Sequence, residues 1–146
     1  MWLNGRGKHV ALPKPEIEMA CILLVEDEAD IRTMLAEVLA DAGHEVVEAD
    51  TGDNAASLLK TRSDFDMLLT DINMPGRLDG VALAACFRAR HSHRPILYVT
   101  GRPDALRHTA LRPNREAALL KPHGLLKLVV TVQAMLAFAL SGAGAD

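Results

Sequence analysis

Ile22-Leu23-Leu24-Val25 runs directly into Glu26-Asp27-Glu28. A short apolar run that ends in charged residues is the junction on which the fold turns, because such junctions occur twice more, once with an acid and once with a lysine. Met67-Leu68-Leu69-Thr70 is followed by Asp71, and Ala117-Ala118-Leu119-Leu120 by Lys121-Pro122. Taken as neighbouring parallel strands, these runs gather carboxylates and one ammonium at their carboxyl ends, the crevice where open α/β sheets bind ligands. Crowded carboxylates repel one another and resist ionising together unless a cation sits among them. A hard divalent ion such as Mg²⁺ meets that need with oxygen ligands.

Outward from these junctions, short apolar runs alternate with amphipathic stretches, the pattern of strand and helix units around a parallel sheet. Five of each can be counted from Cys21 onward. Ile31, Met34, Leu35, Val38 and Leu39 recur at helical spacing, and Gly43 lies where a left-handed cap would end that helix. Glu45 to Ala49 reads as the second strand, Thr51 as the cap of a helix through Leu59, and Phe65 to Thr70 as the third strand. A Pro75-Gly76 turn leads to a third helix through Val81, Leu83, Ala84 and Phe87, with Asp79 as its cap. Pro95 opens a fourth strand, Ile96 to Thr100. Between Arg102 and Glu116 the pattern predicts one short, loosely held helix, since Pro113 and Asn114 break any longer one. The last helix, Gly124 to about Leu140, is very apolar but short for a membrane span. Leu125, Leu128, Val129, Val132 and Leu136 are assigned to its sheet-facing side, and Leu126, Val130, Ala137 and Leu140 to a second apolar stripe, with Gln133 outward.

With 146 residues, 49% of them hydrophobic, the chain can bury one substantial core. We divide it into a flexible N-terminal extension at 1–19, a folded domain at 20–141 and a flexible tail at 142–146. A net charge of -3 offers no field for nucleic acid, and Arg88, Arg90 and Arg94 read as a solvated helix end. Cys21 and Cys86 suit neither a disulfide framework nor a metal site and favour a reducing compartment. No signal-peptide core precedes Met19, so the expected location is cytoplasmic. His91 and His93 do not share a helix face and read as surface residues, while His123 lies beside the site.

Each junction has a plain structural explanation. Asp27 and Glu28 can serve as helix caps, Asp71 can cap a turn, Lys121 can be a surface lysine, and Thr100 can be the polar end of a strand. The conjunction on one sheet edge is harder to explain that way. With Asp71-Ile72-Asn73-Met74-Pro75-Gly76, Asp79-Gly80, Val99-Thr100-Gly101 and Lys121-Pro122, it resembles the receiver domain of two-component response regulators over about residues 21–140.

The resemblance implies a flavodoxin-like (βα)5 three-layer sandwich with a parallel sheet in order 2-1-3-4-5. It implies phosphoryl transfer from a histidine kinase phosphohistidine to Asp71 in a Mg²⁺-dependent reaction. Asp27, Asp71 and the backbone carbonyl of Asn73 would bind the metal, and Glu26 would do so through water. Thr100 would reach the phosphoryl group, Lys121 would pair with one of its oxygens, and Lys121-Pro122 would be a cis peptide. The implied partners are a sensor histidine kinase or phosphotransfer protein, with a homodimer through the last helix and neither nucleic acid nor membrane. Because the chain length leaves no room for an output module, output is expected through protein contacts.

Two departures stand out. The family usually carries an aromatic three residues before the lysine, where this chain has Ala118, and one residue between the glycine and the Asp-Gly pair, where this chain has Arg77 and Leu78. Ala118 keeps open a second reading, a docking module that works without phosphorylation. An aspartate-nucleophile phosphatase would want an acid two residues after Asp71, and Asn73 stands there instead.

Overall fold

In the computed structural model, residues 2–3, 9–10, 19–121 and 123–140 are described. The cis-peptide expectation at Pro122, the tail at 142–146 and most of the 1–19 extension lie outside them. Within that extension Trp2–Leu3 pairs antiparallel with His9–Val10, a ladder too short to register as a sequence period.

Five parallel strands form the sheet: β1 (Cys21–Val25), β2 (Glu45–Ala49), β3 (Met67–Asp71), β4 (Ile96–Thr100) and β5 (Glu116–Leu120). Their spatial order is β2-β1-β3-β4-β5, as the resemblance implies. Four α-helices connect or flank them: α1 (Ala29–Asp41), α2 (Gly52–Thr61), α3 (Gly80–Arg90) and α4 (Leu125–Leu140).

Strand side chains alternate between faces, so the sheet carries two cores. Ile22, Leu24, Met67, Leu69, Leu97 and Val99 meet α1 and α4 through Leu35, Leu39, Leu128, Val132 and Leu136. On the opposite face Leu23, Val25, Leu68, Ile96 and Tyr98 meet α2 and α3 through Ala55, Leu59, Leu83, Ala84 and Phe87. This two-faced burial is why the strands read as continuous apolar runs rather than as alternating ones.

Local signals act where the sequence puts them. The Thr51 side chain accepts from Asn54 N–H and the Asp79 side chain from Ala82 N–H. Gly43 takes φ 100, the left-handed conformation that lets the chain leave α1.

The fourth crossover departs from the (βα)5 expectation. In place of an α-helix it holds a four-residue 3-10 turn, Pro103–Leu106, and an irregular segment up to β5. Pro113 cannot donate a helical hydrogen bond and Asn114 sits at φ 63, so helix cannot propagate through that region. Ala105, Leu106 and Leu111 pack on the α2/α3 core, and Arg112 fixes the segment through Glu116 Oε2 at 2.6 Å and the Ser92 carbonyl at 2.6 Å.

Three surface readings also change. His91 is buried, its ring 5.0 Å from that of Phe87. Of the three arginines read as a solvated helix end, Arg90 is exposed and Arg94 forms a half-exposed pair with Asp66 at 2.9 Å, but Arg88 departs from the reading by pairing with buried Glu116 at 2.8 Å. Gln133 turns inward, its Oε1 2.9 Å from Nε2 of buried His44. As His44 Nδ1 accepts from Ala20 N–H at 3.2 Å, Nε2 carries the proton and donates to Gln133.

Candidate functional site

Register builds the site. Val25 is level with Thr70 and Asp71 with Val99, so Glu26 emerges beside Asp71 one residue past the end of β1. Thr100 is level with Leu120, and Lys121 N–H donates to the Thr100 carbonyl at 2.8 Å, which carries the lysine onto the same edge.

Lys121 Nζ then donates to Glu26 Oε1 at 2.9 Å and to Asp71 Oδ2 at 3.1 Å, one ammonium spanning two carboxylates from different strands. Asp71 Oδ1 accepts the N–H of Ile72 at 2.7 Å. Carboxylate oxygens of Glu26, Asp27 and Asp71 lie within 4.8 Å of one another. Glu28 holds the N-cap position of α1 without any side-chain cap bond, so capping does not account for this acidic cluster.

The electrostatics follow from burial. Glu26 is 2% exposed, and that desolvation holds its carboxyl above the usual range although Lys121 and Glu28 N–H act in the opposite direction. For Lys121, burial works against the charge, but the hydrogen bonds to Glu26 and Asp71 outweigh it and raise the ammonium above the ordinary lysine value. Three oxygen-bearing acids, one of them kept from easy ionisation, form a donor set suited to a hard divalent cation.

The remaining candidates surround this centre. Asn73 is exposed on the loop after β3, between Ile72 and Met74, which are 2% and 8% exposed and anchor that loop in the core. Thr100 is fully buried, and its hydroxyl accepts from Arg102 N–H at 3.0 Å and donates to the Arg102 carbonyl at 3.3 Å. Ala118 lies level with Tyr98 of β4 and packs on the same core, which also holds Phe65 and Phe87. A cavity of about 510 Å³ beside Lys121 is lined by Ile31, Met34, Leu35, His123 and Leu125. Sequence reading missed this groove: Met34, one of the apolar residues at helical spacing on α1, is 45% exposed there.

A second cluster with metal-like spacing, Cys21, Glu45 and Asp64, is already filled by a cation: Arg62 Nη2 lies 2.7 Å from Asp64 Oδ2 and 3.5 Å from Glu45 Oε1.

Comparison with known proteins agrees with the geometry. A family model described as the response regulator receiver domain matches residues 22–133. The receiver protein CpdR of Brucella abortus is 36% identical over 123 residues, covering 81% of this chain and 98% of CpdR. FleR of Pseudomonas aeruginosa is 37% identical over 104 residues, or 70% of this chain, and the match spans only 22% of FleR. Among solved structures, a response regulator receiver protein from Sinorhizobium medicae WSM419 superposes with a TM-score of 0.78 at 28% identity, covering 84% of this chain and 98% of that one. The strand order, the acidic edge with its lysine and these matches have one explanation: the chain belongs to the response regulator receiver domain family.

Proposed function

We propose that this chain is a single-domain response regulator in which Asp71 accepts a phosphoryl group from a kinase phosphohistidine. The observation that carries the reading is Lys121 bridging Glu26 and Asp71, with a third carboxylate, Asp27, within reach of both. An Asp71 carboxylate oxygen attacks phosphorus, a P–O bond forms as the P–N bond breaks, and the imidazole, which carries a proton on its other ring nitrogen, takes the electron pair and leaves neutral. Such transfer is governed by positioning and charge stabilisation more than by covalent help from the protein.

Asp27, Asp71 and the Asn73 carbonyl would hold Mg²⁺, with Glu26 reaching it through water. The ion supplies positive charge for the equatorial oxygens and relieves the repulsion among the acids. Lys121 moves from its carboxylate partners to a phosphoryl oxygen. The Thr100 hydroxyl turns its proton from the Arg102 carbonyl to the new anion, whose charge approaches two. Because Ala118 lacks an aromatic ring, the threonine's motion is passed on by another route than the family's usual one.

The groove of Ile31, Met34 and Leu125 beside Lys121 suits the approach of an apolar helix from a histidine kinase or phosphotransfer protein. Output runs through protein contacts in the cytoplasm. Leu126 and Val130, 76% and 57% exposed, form a face through which the chain associates with a second copy.

Labelling with acetyl phosphate and Mg²⁺ tests the assignment by intact mass. The wild type should gain one phosphoryl group and Asp71→Asn none. A mass shift that persists in Asp71→Asn refutes the acceptor assignment, and no shift in the wild type favours the phosphorylation-independent docking module left open by Ala118.

A further inference from the structure

The loop from Ile72 to Asp79 leaves β3 at the acceptor and returns to α3, and it carries the Asn73 carbonyl. Its base is closed by Gly80 N–H donating to the Ile72 carbonyl at 2.8 Å. There Gly80 approaches so closely that a Cβ would stand 2.1 Å from the Asp71 carbonyl oxygen. Its inner side is anchored by buried Ile72 and Met74. The outer end, Pro75 to Arg77, is exposed, and Arg77 with Leu78 stands where the family pattern has one residue.

Two neighbouring residues of α2 hold that outer end. Asp53 Oδ2 accepts the N–H of Arg77 at 3.2 Å. A Cβ on Gly52 would stand 2.2 Å from the Leu78 carbonyl oxygen, so only glycine lets the two backbones meet. Gly76 takes φ 103, and a Cβ there would lie 2.8 Å from Asp53 Oδ2. Asp53 is not needed as the helix cap, because Thr51 fills that role toward Asn54.

We infer that the first turn of α2 is a positioning element for phosphoacceptance, with Gly52 and Asp53 fixing the extended loop and thereby the place of the Asn73 carbonyl. The inference rests on the phosphoacceptor reading above. Neither residue touches the reacting atoms; both act through the loop.

Full-length Asp53→Ala, Asp53→Asn and Gly52→Ala test it by three measurements: Mg²⁺ titration in a calorimeter, amide exchange at Arg77, and thermal midpoint without Mg²⁺. Asp53→Ala should speed exchange at Arg77 and weaken Mg²⁺ binding about two- to tenfold, the worth of one ordinary hydrogen bond, with the metal-free midpoint lowered by no more than a few degrees. Asp53→Asn keeps an acceptor oxygen and should restore both. In Gly52→Ala the Leu78 carbonyl must retreat by about 1 Å to reach van der Waals distance, which should weaken Mg²⁺ binding further. Wild-type Mg²⁺ affinity in Asp53→Ala overturns the inference while leaving the acceptor assignment intact, even if Gly52→Ala fails to fold. Equal losses in Asp53→Ala and Asp53→Asn overturn it too, since charge rather than the loop contact would then be responsible. A wild type that binds no Mg²⁺ overturns both readings, and its Arg77 exchange then reports the clamp as structural only.

Discussion

Glu116 offers a quantitative test of what replaces the fourth helix. Its side chain is 0% exposed and meets Arg88 Nε at 2.8 Å and Arg112 Nε at 2.6 Å, while Arg112 N–H adds a bond at 3.2 Å. It thus joins α3, the start of β5 and the irregular segment at one point. Removing one partner of a buried ion pair costs about 3–5 kcal/mol, chiefly by stranding the charge left behind. Here Arg88 and Arg112 are 31% and 29% exposed and can recover part of their hydration, so Glu116→Ala should cost about 2–3 kcal/mol. Glu116→Gln keeps the shape and an acceptor and should lose roughly half as much. Burial alone would raise the Glu116 carboxyl, but the bonds from Arg88 and Arg112 hold it below the usual glutamate value of 4.5. A depressed folded value means that the stabilisation is complete above the unfolded value and fades as pH falls through the folded one. Urea unfolding from neutral pH down to about pH 3 should therefore show the gap between wild type and Glu116→Gln closing on the acid side. A gap independent of pH, or a Glu116→Ala cost below about 0.5 kcal/mol, refutes the argument that this carboxylate pins the segment.

Asp27→Ala should remove most of the Mg²⁺ affinity seen by calorimetry, because it deletes a proposed direct ligand from a site with few; an unchanged titration takes Asp27 out of the site. Burial, and then the positive charges of Arg94 and Arg90, hold His91 below the ordinary imidazole value of 6.5, so the fold favours its neutral form. Its contribution is complete above that value and is lost as pH falls toward the folded one, so His91→Gln should flatten the wild type's loss of stability just below pH 6.5, and parallel curves would contradict this. Leu126→Glu/Val130→Glu should convert a sedimenting dimer into a monomer, and a wild type already monomeric at concentrations on the order of tens of micromolar, with and without a phosphate analogue, removes the dimer.

The parts of this fold that could be read from the chain are those set by neighbours in sequence. Thr51, Asp79 and Gly43 each act within a few residues of themselves, and the apolar strands declare burial on both faces. The fourth crossover resisted reading because Pro113 and Asn114 forbid a helix without saying what takes its place. Its replacement is held by the contact between Arg112 and Glu116, four residues apart, and by two partners that no local pattern reveals, the Ser92 carbonyl and Arg88 from α3. His91 and Gln133 were misplaced for the same reason, since packing on Phe87 and pairing with His44 are matters of tertiary structure.

The candidate site divides along the same line. Glu26, Asp27, Asp71, Thr100 and Lys121 were legible because each sits at the end of a strand, and parallel register alone brings strand ends together. Which of them touch is a further matter. Lys121 spans Glu26 and Asp71, whereas the Thr100 hydroxyl donates to the Arg102 carbonyl, a bond it must give up to donate to a phosphoryl oxygen. Asp53 was invisible as a contributor because an acid in a first helical turn already has a sufficient explanation in the helix dipole. Its contact with Arg77 comes from a loop that begins one strand away, and that loop is where this chain departs in length from the family pattern. An extra residue beside an acceptor is tolerable when something outside the loop fixes its position, and Gly52 with Asp53 supplies that support.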